Sequence, residues 1–93
     1  MLNPYEKGVF ENLYKFIHQN DNKEIYKLIY SDGNEILARY NTDYESDNGL
    51  DSEEEGYEEY ICIVFENQET KELFELNYHT LPKEMYYGNS IIF

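Results

Sequence analysis

Apolar residues return at three- and four-residue intervals near the start of the chain: Val9, Phe10, Leu13, Phe16 and Ile17. That spacing predicts an amphipathic helix over residues 4–18 with a single apolar face. Asn3 offers a side-chain cap, and Pro4 suits the first helical position, where its missing N–H costs nothing. Gly8 weakens the first turns by roughly 1 kcal/mol relative to alanine. The polar cluster "NDN" at residues 20–22 ends the element.

From residue 24 the period shortens to two. "EIYKLIY" and "EILARY" each alternate, and "SDGN" joins them. Tyr26, Leu28 and Tyr30 share one face of the first strand, with Ile25, Lys27 and Ile29 on the other. In the second strand Ile36, Ala38 and Tyr40 oppose Leu37 and Arg39. Asp32-Gly33 is a strong signal for a two-residue hairpin of type I′, which needs positive φ at both central residues. An acidic segment follows, expected as a loop over residues 44–56 that feeds a strand at Tyr57. "YEEYICIVFE" then reads as a third strand and "KELFELNYH" as a fourth, with "NQET" as the turn. Pro82 breaks the pattern, as proline does outside strand starts and edges. The tail "MYYGNSIIF" adds a short edge strand turning at "GN". The expectation is one α+β domain over residues 1–93, with one N-terminal amphipathic helix packed on a four- to five-stranded antiparallel meander sheet.

Charge then narrows the function. Twenty Asp and Glu against seven Lys and Arg give a net charge of −13. Such a field repels nucleic acid and anionic membrane surfaces and draws in cationic partners. Disorder is the bland reading of an acidic chain, but the periodic apolar and aromatic residues argue for folding. Eleven Tyr and five Phe supply apolar area to a small core, and tyrosine suits the core boundary or a binding face. Cys62 is the single cysteine, so no intrachain disulfide is available, and its place in "YICIVF" marks a small buried hydrophobe. The opening residues lack a signal-peptide pattern and no apolar run is long enough to span a bilayer, so a cytoplasmic location is expected.

Candidate chemistries fail one by one. "DSEEEGYEEYIC", starting at Asp51, approaches an EF-hand loop with its acidic residues and Gly56. It then places Cys62 where a bidentate Glu is required and Glu58 where an apolar residue normally sits. His18 and His79 have no Cys or His at ligand spacing, so no metal site is expected. The five glycines are isolated and form no phosphate-binding motif, so no cofactor is expected. Ser31, Ser46 and Ser52 lie in turn-like contexts, and adjacent exposed carboxylates lack the sheltered pocket that acid–base catalysis needs. The chain does not read as an enzyme.

Binding remains. No Lys or Arg occurs from Tyr40 through Thr70. Glu45, Asp47, Asp51, Glu53, Glu54, Glu55, Glu58 and Glu59 concentrate there, with Tyr44, Tyr57 and Tyr60 interleaved. In an extended chain alternate residues stand about 6.6 Å apart on one face. Carboxylates at that pitch suit a basic groove and steer association, while tyrosines supply anchors. The competing reading is a solvated loop that confers solubility. The segment "NTDYESDNGLDSEEEGYEEY" resembles part of small acidic bacterial proteins of the toxin-neutralising immunity type, clearly over residues 41–60 and loosely over the next two strands. It is also similar in style to phage-encoded DNA mimics, including anti-CRISPR proteins. The resemblance implies a non-catalytic inhibitor of a basic partner, a toxin or a nucleic-acid-processing enzyme, and it transfers no site residues. A structural or regulatory module, dimerising through the edge "NSIIF", is the alternative from another class, so monomer and homodimer both stay open.

Overall fold

The computed structural model describes residues 4–47 and 49–93, with side chains from residue 7 onward. One helix, α1 (Pro4–Gln19), precedes six strands: β1 (Tyr26–Ile29), β2 (Glu35–Asp47), β3 (Glu59–Asn67), β4 (Leu73–Leu76), β5 (Glu84–Tyr87) and β6 (Ser90–Ile91). They form a single antiparallel sheet in the order β4-β3-β2-β1-β5-β6. The α+β expectation holds, with a slightly higher strand count. Asn3, expected as the helix cap, lies outside the described residues.

The helix buries Phe10, Leu13 and Ile17 against the sheet, as the apolar spacing predicts. Its C-terminus is closed by the "NDN" cluster. Asn20 Nδ2 donates to the Phe16 carbonyl, Asn22 Nδ2 donates to the Ile17 carbonyl at 2.9 Å, and Asn22 sits at φ 54°. Two helix-end carbonyls that would otherwise lack partners are thereby satisfied, and asparagine tolerates the left-handed backbone. Tyr26, fully buried, donates from its hydroxyl to Asn22 Oδ1. The helix end and the first strand are therefore locked through one asparagine.

Two expectations about connections are corrected. The β1–β2 hairpin is present, but its turn is not type I′. Gly33 N donates to the Tyr30 carbonyl at 2.9 Å, Tyr30 N donates to the Asn34 carbonyl at 2.9 Å, and only Gly33 takes positive φ, at 90°. This is a three-residue loop in which glycine alone supplies the left-handed position. The meander also stops at β4. Residues 77–83 carry the chain from one edge of the sheet to the far side of β1, where β5 pairs with it. Tyr78 and Pro82 are buried along this crossover and Leu81 packs on the core, so the crossing segment is part of the packing. The tail does form a turn at "GN", making β6 the edge beyond β5. Ile92 and Phe93 pack on the chain's own core, leaving Ile91 as the exposed apolar residue of the tail.

The largest correction concerns the acidic segment. The second strand continues to Asp47, and β3 begins at Glu59. Residues 44–47 are thus ladder, paired as Tyr44↔Cys62, Glu45↔Ile61, Ser46↔Tyr60 and Asp47↔Glu59. The register shifts between Tyr40 and Thr42, so Asn41 is an extra residue in β2. Such a bulge resets which side chains face which side of the sheet.

Burial pushes the Tyr26 hydroxyl up to about 12. A raised folded-state value means that between pH 10 and 12 the native chain holds a proton the unfolded chain has lost, so stability declines as pH rises through that window. Denaturant titrations are expected to show a midpoint that falls from about pH 10, with a loss approaching ~1.4 kcal/mol per pH unit from this group. Tyr26→Phe should cost about 1–2 kcal/mol at neutral pH by leaving Asn22 without its donor, and should reduce the alkaline decline. Cys62, 2% exposed, also has its thiol pushed up by burial. In the native chain it should label with a thiol reagent roughly a hundredfold or more slowly than in denaturant. Rapid native labelling would contradict the packing of β3.

Candidate partner-binding site

The bulge at Asn41 brings Tyr40 and Asp43 to the helix side together. In unbroken strand geometry residues three apart face opposite ways. Here the Tyr40 hydroxyl donates to Asp43 Oδ2, and His18 Nε2 pairs with the same oxygen at 2.8 Å. Tyr14 lies against His18 with ring centroids 4.4 Å apart and the planes tilted by 48°. This polar and aromatic group ties the helix to the middle of β2. The Tyr14 hydroxyl is raised first by burial and then by the charges of Asp43 and Glu45.

Beyond Asp43 the strand alternates regularly, so Glu45 and Asp47 follow it on that face. Asp47 sits directly opposite Glu59 across the ladder. Like charges in cross-strand positions destabilise a sheet by roughly 0.2–1 kcal/mol. Tyr57 donates from its hydroxyl to Glu59 Oε1 at 2.7 Å. That bond raises the Tyr57 hydroxyl to about 12, with burial and the charges of Glu59 and Asp47 adding to it. Three carboxylates and a tyrosine therefore gather at the end of the β2–β3 ladder.

The connection between these strands carries Asp51, Glu53, Glu54 and Glu55, all exposed. Glu54 N donates to the Asp51 carbonyl at 2.9 Å and Tyr57 N to the Glu54 carbonyl at 3.2 Å, giving two consecutive turns. Gly56 closes the second at φ 85°, which a larger residue adopts only with strain. The turns project the four carboxylates outward beyond the ladder.

Tyr44, Glu58 and Tyr60 behave differently. Tyr44 lies on the opposite face from Asp43; it is 41% exposed and donates to Glu75 Oε1 above Cys62. That hydrogen bond, ahead of burial, holds the Tyr44 hydroxyl above its ordinary value. Glu58 is half-buried, its Oε1 3.4 Å from His79 Nε2, an ion pair whenever that histidine is protonated. Tyr60 is half-buried and meets the Tyr78 and His79 rings edge-on at 6.1 Å each. The sequence-derived set thus divides in three: Glu45, Asp47, Tyr57 and Glu59 at the strand ends, Asp51 and Glu53 to Glu55 on the loop, and Tyr44, Glu58 and Tyr60 engaged with neighbours. Sequence reasoning missed Asp43 and His18, whose juxtaposition depends on an unsignalled bulge. It also missed Tyr78 and Glu11, which the crossover and the helix bring to Tyr60.

Among the described residues no group of three His, Cys, Asp or Glu side chains is placed to hold a metal ion. The geometry supplies a surface: a rigid acidic edge, an acidic loop continuing it, and aromatic rings at its base. No curated protein and no solved structure gives a match to the chain. A family match does exist, and it spans residues 9–84, from the helix to the start of β5. On that match the chain belongs to the family described as cognate immunity protein YxxD.

Proposed function

We propose that this chain neutralises a cognate toxin by binding it without chemistry, through the acidic end of the β2–β3 ladder and the loop that extends it. Family membership supports a toxin as the partner. The observation that carries the surface is the Asp47–Glu59 pairing, which sets like charges opposite one another where neutral residues would be more stable. With Glu45, Asp51, Glu53, Glu54 and Glu55 close by in sequence and no Lys or Arg from Tyr40 through Thr70, repulsion accumulates in the free protein. A basic partner surface relieves it. Charge of this kind accelerates encounter and sets orientation, while Tyr57, Tyr60 and Tyr44 offer aromatic area for the contact that persists. Binding in the cytoplasm is expected, where a toxin made by the same cell would otherwise act. The same electrostatics would serve a mimic of nucleic acid, but the family match favours the toxin.

The test is association of the chain with the toxin encoded beside its gene, followed across ionic strength. Replacing Glu53, Glu54 and Glu55 by Gln should lower the association rate about tenfold at low salt and flatten its salt dependence. Asp47→Asn should lower the rate while raising stability by a few tenths of a kcal/mol or more, because it removes a cross-strand repulsion. An unchanged rate with an unchanged salt response in both variants would remove the acidic surface from the interface.

A further inference from the structure

A cleft of about 150 Å³ lies between α1 and the start of β3. Phe10, Tyr60, Ile61 and Tyr78 form its walls, and the exposed Glu11 and Glu59 stand at its rim. The volume suits a single side chain, since a cavity of that size holds one benzene-sized group. Three of the four walls are aromatic rings that meet one another edge to face. Phe10 and Tyr78 meet edge-on at 6.4 Å, and Tyr60 meets Tyr78 at 6.1 Å with an interplanar angle of 89°. Tyr78 is 4% exposed, and its hydroxyl is buried without a hydrogen-bond partner among the described residues. An unpaired buried hydroxyl is unfavourable in the free protein, and a group entering the cleft satisfies it only once the side chains covering it shift.

Resting on the toxin-binding role proposed above, we infer that this cleft receives an arginine side chain of the bound partner. The aliphatic stem lies along Ile61 and Phe10, and the planar guanidinium stacks on tyrosine. Its N–H donors face the carboxylates of Glu11 and Glu59, and one reaches the Tyr78 hydroxyl once the side chains covering it shift. Glu59 is already oriented, because the Tyr57 hydroxyl holds Oε1 at 2.7 Å and leaves the second oxygen for an incoming donor. Lysine fits less well, since a compact and strongly hydrated ammonium loses more on entering an apolar cleft. An apolar side chain fills the space but leaves Tyr78 unpaired. Lys7, exposed on the same rim, competes for the two carboxylates.

Two measurements test the cleft. The full chain is titrated with arginine amide, and with citrulline amide as the uncharged isostere, while the aromatic resonances are followed by NMR. Arginine amide should shift Phe10, Tyr60 and Tyr78 saturably, and citrulline amide should not. Glu59→Gln should weaken the effect about two- to fivefold, and Lys7→Ser should strengthen it. Toxin affinity is then compared between the wild-type chain and Tyr78→Phe, which keeps the ring and removes only the hydroxyl. The variant should bind the toxin about five- to tenfold more weakly, yet unfold at the same or a higher temperature. Equal shifts from both amides, silence at these rings, or wild-type toxin affinity in Tyr78→Phe each overturns the arginine cleft. If the wild-type chain binds the toxin and only the cleft variants fail to differ, the acidic surface stands and the cleft falls. If the wild-type chain does not bind the toxin, the toxin-binding role falls and the cleft with it.

Discussion

One extra residue in β2, Asn41, decides which side chains face the helix along the acidic half of the sheet. Before the bulge, Ile36, Ala38 and Tyr40 turn inward; after it, Asp43, Glu45 and Asp47 do. Without the shift, Asp43 would stand on the far face and His18 would have no carboxylate to meet. With it, one aspartate accepts from the Tyr40 hydroxyl and pairs with His18, and the helix is tied to the middle of the sheet. The same shift sends Tyr44 to the outer face, where it covers Cys62 and reaches Glu75. A single backbone irregularity thus adds a polar tie between helix and β2 and assigns each later residue of β2 to the helix face or to the outer one.

The chain keeps its stability and its charge in different places. Tyr26, Leu28, Ala38, Ile63, Phe65, Leu76 and Met85 are buried in the sheet, and the helix covers them with Phe10, Leu13 and Ile17. Aromatic contacts such as Tyr26–Phe65 at 5.4 Å and Phe65–Phe74 at 5.9 Å knit the strands across that core. The acidic edge lies beyond these contacts, where β2 and β3 pair only with each other, so repulsion there acts on the last rungs of one ladder. A surface can hold unfavourable charge cheaply in such a position, since losing a terminal rung does not open the core.

Much of the fold was legible because local rules and tertiary packing agree there. The helix, its asparagine stop, the β1–β2 hairpin, the third and fourth strands and the "GN" turn all follow from period and turn chemistry. The misreadings share a physical cause. Residues 41–47 are mostly polar and acidic, and Asn41, Asp43, Glu45 and Asp47 outweigh Thr42 and Tyr44 in strand propensity; pairing with the apolar "ICIV" of β3 overrides it. Turn type at "SDGN" depended on how many residues the strands left unpaired, which two letters cannot specify. The crossover from β4 to β5 is a tertiary choice, made by burying Tyr78 and Pro82, and no periodicity announces it. Of the candidate surface, the residue types and their one-sided charge were readable. Their division between rigid ladder, outward loop and aromatic base was not, because it rests on where β2 ends and β3 begins.

In the proposed toxin-binding role, that division separates two tasks. In that role, charge on the exposed loop, from Asp51 to Glu55, would be screened by salt and act at a distance, setting how fast and in what orientation a basic partner arrives. It contributes little to how long the partner stays, because exposed ion pairs are weak. Residence requires desolvated contact, and the aromatic group of Phe10, Tyr60 and Tyr78 lies where α1 meets the first residues of β3, beside Glu59. Glu59 belongs to both parts: it is opposite Asp47 on the ladder and on the rim of the aromatic cleft. In the proposed role, a cation drawn in by the acidic edge arrives beside a cleft in which its aliphatic stem can also be buried.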